Sequence, residues 1–177
     1  MKINWKTLLI CILIPLAVGT TAGLLTMGGM EQFQELNKPM LAPPAWLFPV
    51  VWTILYILMG VSSYLIYACE ENREKKEYLN SKLQTKKIRK CNPEQKRKVL
   101  NIYGYQLLVN FLWPVFFFNF GWYGFSYLWL ILLWILVAKM IWEFDKISFS
   151  AALMNIPYLL WLSFAGYLNL TIWLLNR

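Results

Sequence analysis

A chain of 177 residues that is 59% hydrophobic, 18% aromatic and only 15% charged cannot hide its apolar surface as a soluble domain. Its net charge of +8 comes with no histidine and three cysteines, which leaves no Ser-His or Cys-His nucleophile pair, no disulfide framework and no basis for a metal site. Residues 7–30, 39–69 and 99–138 carry no charge at all, and about 20 apolar residues cross a bilayer, so the chain reads as a single all-α integral membrane domain over residues 1–177.

The first span covers residues 7–26. Lys2 and Lys6 precede it, and Ala17-Val18-Gly19 is small enough for signal cleavage. The apolar run nevertheless continues through Leu24-Leu25 and is long enough to cross, so a retained helix is expected. Gly19-x-x-x-Gly23 lies within it. Small residues four apart let helix backbones approach closely, either inside a bundle or in a homodimer.

Asn37-Lys38-Pro39 and Pro43-Pro44 then form a loop that cannot be helical, because each proline lacks an N–H and pushes its predecessor toward extended geometry. The loop feeds a second span, residues 46–68, whose helical spacing aligns Trp52, Tyr56 and Gly60. A stiff cap beside an aromatic, water-poor site suits a flat apolar ligand.

Residues 70–98 break the pattern, with 11 of the 17 basic residues of the chain. By the lysine and arginine bias this insert faces the cytoplasm, with the N-terminus on the same side and the Pro-rich loop and C-terminus outside. The charge is therefore an orientation signal and not a nucleic-acid footprint. The insert reads as a solvated connector, or as a contact for anionic lipid headgroups. Asn92 is placed to cap a third helix, with Pro93 in its first turn and Gln95 completing a capping box.

One helix over residues 99–138 would run ~60 Å, about twice the hydrocarbon thickness. The Asn119-Phe120-Gly121-Trp122 turn signal divides it into spans 99–119 and 122–142. The third span aligns Gln106, Asn110, Trp113 and Phe117. The fifth, residues 150–174, aligns Pro157, Trp161, Ala165 and Asn169, with Pro157 expected to kink it. Amides in hydrocarbon must find partners, so these stripes should face inward and form a slot between spans two, three and five. Trp5, Trp122, Trp129, Trp142 and Trp173 read as interfacial or lipid-facing. No span carries a carboxylate at membrane depth, which argues against a proton-coupled pump, and no phosphate-cradling glycine loop is present.

Three ordered motifs resemble the TspO/MBR family, the tryptophan-rich sensory and translocator proteins. They are Lys38-Pro39-x-x-x-Pro43-Pro44 with Pro49-x-x-Trp52-x-x-Leu55-Tyr56-x-x-Met59-Gly60, then Gln106-Leu107-x-x-Asn110-x-x-Trp113-x-x-Phe116-Phe117, then Pro157-Tyr158-Leu159-x-Trp161-x-x-Phe164-Ala165-x-x-Leu168-Asn169. The resemblance covers most of residues 1–68 and 99–176. It implies a five-transmembrane-helix bundle with a cavity closed by the first loop, and ligands such as protoporphyrin IX, haem, sterols and benzodiazepine-type drugs. It also implies frequent dimerisation. Carried over by motif, the ligand-binding residues are Pro43, Pro44, Trp52, Asn110, Trp113, Phe117, Trp161 and Ala165. Trp52 and Trp161 are the catalytic candidates if light-dependent porphyrin breakdown occurs.

The chain departs from the family pattern at Gln32-Phe33, where Trp-Tyr is frequent, and at Leu41, where Trp is frequent. The 70–98 insert is longer than the usual connector. The sterol pattern of the fifth helix is missing, since no base follows Tyr167 until Arg177; Leu65-x-Tyr67-x5-Arg73 fits it only loosely. The resulting expectation is a porphyrin receptor or carrier with no required cofactor and no metal. Its partners would be membrane lipid and a flat apolar small molecule, with no nucleic acid. The alternatives are a light-dependent porphyrin-degrading enzyme and a non-enzymatic stress scaffold. The expected location is a bacterial plasma membrane, with a mitochondrial outer membrane as the alternative.

Overall fold

The computed structural model describes residues 3–29, 33, 35–69 and 93–177. Most of the basic 70–98 insert lies outside the described residues, and so do Asn92, expected as a helix cap, and Cys91. Among the described residues there is no strand, and five helical segments are long and apolar enough to cross a membrane. The chain is an integral membrane protein built as a five-helix bundle.

Helix α1 runs Trp5–Thr26 and ends in a 3-10 turn, Met27–Gly29. Asn4 caps it by accepting from the Thr7 N–H at 3.3 Å. Helix α2 runs Leu47–Tyr67, and its Tyr64 hydroxyl accepts from the Asn4 N–H at 3.0 Å, pinning the start of α1 to the end of α2. Pro15 stands inside α1 and leaves the Cys11 carbonyl without its usual helical donor. Gly60 faces that place. A Cβ there would lie 2.8 Å from the Cys11 oxygen and would also meet the Ile12 Cα, so only glycine permits this approach.

Helix α3 runs Pro93–Pro114, with Pro93 in its first turn. It continues as a π-helical turn, Val115–Asn119, in which the Phe120 N–H reaches back five residues to the Val115 carbonyl. Pro114 cannot donate to the preceding α-helical turn, so the change of winding falls at the proline. Gly121, at φ +63°, then makes the sharp turn expected between spans three and four. Helix α4 runs Tyr123–Ile147.

The fifth span is two pieces, α5 (Phe149–Leu153) and α6 (Ile156–Leu175). Ser148 caps α5. The break falls at Met154 and Asn155, and Pro157 sits in the first turn of α6, where its missing N–H costs nothing. The expected proline kink is therefore a proline start. Asn155 secures the break by donating to the Ser62 hydroxyl at 2.6 Å and to the Ala151 carbonyl at 2.9 Å.

Around the bundle α1 packs on α2 and α3, α3 on α4, and α4 on α5 and α6, while α2 meets α5 as its main neighbour in the fifth span. Met59, Leu133, Val137, Met140 and Phe144 are fully buried at the centre. Leu9, Leu128, Trp142 and Leu160 point outward, as a lipid-facing surface allows. Trp5, Trp122 and Trp142 match their lipid-facing assignment. Trp129 and Trp173 do not. The Trp129 indole donates to the Val109 carbonyl at 2.8 Å, and the Trp173 ring lies against Gly124, 2.9 Å from where a Cβ would stand. Both hold helices together.

Candidate functional site

The amide stripes turn inward: Gln106, Asn110 and Asn169 are 0%, 3% and 1% exposed. They join a directed chain of hydrogen bonds across three helices. Tyr56 donates to the Asn110 oxygen at 2.7 Å, Asn110 donates to the Tyr158 hydroxyl at 2.9 Å, and Tyr158 donates to the Gln106 oxygen at 3.1 Å. The first bond joins α2 to α3 and the other two join α3 to α6, so the network fixes the relative positions of α2, α3 and α6. At membrane depth no water would otherwise satisfy these groups. With its amide turned so that both ends are satisfied, Asn169 donates to the Tyr123 carbonyl at 2.8 Å and accepts from the Trp113 indole at 3.2 Å.

Beside this network, toward the Pro-rich loop, α1, α2 and α3 stand apart. They border a partly open chamber of about 400 Å³, inside the ~300–1,000 Å³ range of small-molecule sites. Helix α1 supplies Leu16, Gly19, Thr20 and Gly23, and α2 supplies Phe48, Trp52 and Tyr56. Helix α3 supplies Asn110 and Trp113, and Phe33 and Phe118 close the loop end. Trp52 stacks on Tyr56 with centroids 5.5 Å apart and meets Tyr158 edge-on at 6.0 Å. Gly19 seats the Tyr56 ring, which occupies the space a side chain there would need, whereas a Cβ on Gly23 would meet nothing within 4 Å. Gly19-x-x-x-Gly23 is thus a bundle feature on this chain, half packing seat and half chamber wall.

Of the eight residues carried over by motif, Trp52, Asn110 and Trp113 line this chamber. Phe117 does not. It is buried behind Trp113, stacked at 5.3 Å, and Phe118 takes the wall position. The π turn explains the exchange: it needs one more residue to come round than an α turn, so an α-helical register places the wrong phenylalanine inward. Pro43 lines a separate void of about 50 Å³ between the loop and α6, with Leu168 and Ile172. Pro44 is exposed, and its carbonyl accepts the Leu47 N–H at 3.0 Å, where α2 begins.

Trp161 and Ala165 lie on the other side of α2. Ala165 is buried in the core. Trp161 lines an open groove of about 500 Å³ between α2 and α6, with Ile54, Leu58, Leu160 and Phe164. It meets one chamber wall residue, Phe48, edge-on at 5.9 Å. The chamber lies between spans one, two and three, not between two, three and five as the stripes led one to expect. The missed wall residues were Leu16, Gly19, Thr20, Gly23, Phe48 and Phe118. The small residues of the Gly19-x-x-x-Gly23 motif carried the signal for α1, since small side chains make room as readily as they make contact.

One contact ties the loop to the end of α6, and another ties the π turn to α1. The Asn37 N–H donates to the Asn176 side chain at 3.0 Å, and Asn176 donates back to the Asn37 carbonyl at 3.0 Å. Asn119 of the π turn donates to the Leu25 carbonyl at 3.0 Å. Among the described residues no cluster of His, Cys, Asp and Glu could hold a metal ion.

A family model described as the TspO/MBR family matches residues 11–174. The Tryptophan-rich protein TspO of Chlorobaculum tepidum is 33% identical over 96% of this chain and 96% of its own length. Protein CrtK of Rhodobacter capsulatus is 31% identical over 89% of this chain and 85% of its own. The Translocator protein of Bos taurus is 30% identical over 93% and 87%.

Proposed function

The chain belongs to the TspO/MBR family, and from that premise we propose that it is a membrane receptor or carrier for porphyrins, such as protoporphyrin IX or haem, and for similar flat apolar molecules. The observation that carries this reading is the chamber itself: about 400 Å³, walled by Trp52, Tyr56, Trp113, Phe118, Phe33 and Phe48, with Gly23 where a larger α1 side chain would take up room. Planar rings stack well on such walls, and burying apolar area there supplies ~25 cal/mol per Å² of driving force when the ligand comes from water. The ligand contacts in this reading are Trp52, Asn110 and Trp113 together with Gly23 and Phe118.

Quenching of tryptophan fluorescence by protoporphyrin IX tests the reading. Saturable quenching is expected for the parent. Gly23→Leu, which fills the chamber without striking a neighbour, should abolish it. Undiminished quenching in that variant would place the ligand elsewhere.

A second reading, light-dependent porphyrin degradation, draws support from Trp52, an oxidisable indole that faces the chamber and stacks on Tyr56. Its paired-tryptophan form has less support, because Trp161 lies outside the chamber. Illumination should bleach bound protoporphyrin faster than free pigment, and Trp52→Phe should slow it; an equally active variant would remove the tryptophan route. The lysine and arginine bias further supports an N-terminus in the cytoplasm of a bacterial plasma membrane.

A further inference from the structure

Among the described residues, none that lines the chamber is charged. Four of its donors are committed to other groups. Thr26 donates to the Ala22 carbonyl at 2.9 Å and Thr53 to the Pro49 carbonyl at 2.7 Å. Tyr56 donates to Asn110 at 2.7 Å, and the Trp113 indole to Asn169 at 3.2 Å. An ionised carboxylate pushed into this space would give up its hydration and find no cation among the described lining residues to replace it. A flat ligand that carries carboxylates on one edge must therefore enter ring first and keep that edge at the loop.

The loop holds a cation at that end. The Lys38 ammonium lies 4.8 Å from the centroid of the Phe33 ring. Phe33 is shared between the chamber and the small void beside it, which Lys38 also lines. The backbone just before Lys38 is tied to α6 through the reciprocal Asn37–Asn176 pair. In the sequence Lys38 is the sole base between Lys6 and Arg73. Lys6 lies in the first turn of α1, at the opposite end from the Leu16–Met27 stretch that walls the chamber. Glu35, three residues earlier on the same loop, carries the opposing charge.

We propose that Lys38 pairs with the carboxylate edge of the ligand at the loop end of the chamber, so that the site selects flat apolar rings bearing acids on a single edge. This rests on the chamber being the ligand site, and the test separates the two. Protoporphyrin IX and its dimethyl ester share a ring and differ in charge, so both are titrated against the full chain in lipid nanodiscs, with empty nanodiscs subtracted. Lys38→Gln should weaken the diacid about fivefold, as an exposed ion pair allows, and leave the ester unchanged. Lys38→Arg should restore the diacid, and Glu35→Gln should tighten it. Raising salt from about 0.05 M to about 0.5 M should weaken the diacid on the parent and not on Lys38→Gln.

If the parent binds both pigments and the diacid-to-ester ratio ignores Lys38→Gln, the pairing is wrong and the chamber reading survives. Equal weakening of diacid and ester would mark Lys38 as a structural prop and also overturn the pairing. If the parent binds neither pigment, both readings fall together.

Discussion

Gly19 and Gly23 stand one turn apart on α1, and the space beside them could hardly differ more. The Tyr56 ring fills the place beside Gly19, while a Cβ on Gly23 would meet nothing within 4 Å. Lower on the same seam Gly60 brings the α2 backbone against Cys11 and Ile12. The glycine is the same in each case; what differs is whether the facing helix sends a side chain back. The packed part is held by hydrogen-bonded amides and close backbone approach, and the open part is bounded by aromatic rings that pack on one another. A small-residue motif therefore marks a place where helices can touch or where they can leave room.

Four substitutions test that contrast. Gly60→Leu attacks the packed part most directly, because its neighbours are α1 backbone that cannot yield. It should cost about 3 kcal/mol or more in SDS-induced unfolding, or prevent folded protein from accumulating. Near-parent stability would mean the seam is loose. Asn110→Leu leaves the Tyr56 hydroxyl without its acceptor and removes one bond to Tyr158, for a loss of about 2 kcal/mol in the same measurement. A neutral result would show that the network orders the helices without stabilising them.

Gly23→Leu should change stability by no more than about 0.5 kcal/mol while removing porphyrin quenching, so one variant separates the open part from the packed part. A large stability loss there would show that the chamber collapses in the membrane. Trp161→Ala is the mildest. Because the ring meets Phe48 behind the chamber wall and does not line the chamber itself, affinity should fall about twofold, ~0.4 kcal/mol. A loss of tenfold or more would bring the α2–α6 groove into the binding site.

Much of the fold was legible in the residues. Uncharged runs of the right length mark the spans, and the turn at Gly121 is forced by a length no bilayer accommodates. The inward aim of Gln106, Asn110 and Asn169 follows from the cost of an unpaired amide in hydrocarbon. Trp52, Asn110 and Trp113 as chamber residues came from helical spacing and from resemblance together. Phe117 failed because spacing assumes an unbroken α-helical register, and the turn after Pro114 is π-helical. Trp129 failed as a lipid-facing residue because an indole on a helix face can as easily find a carbonyl on its neighbour, here that of Val109.

The sequence by itself determined that this chain lives in a membrane, how many times it crosses, and which faces of its helices carry polar groups. Those properties depend on hydropathy and periodicity within one segment at a time. Which three helices enclose the chamber was decided only in three dimensions. That outcome depends on whether a ring from α2 reaches a glycine on α1, and on how far the π turn rotates Phe118 toward them. Complementarity between spans distant in the chain is a property of their packing, and no single segment contains it.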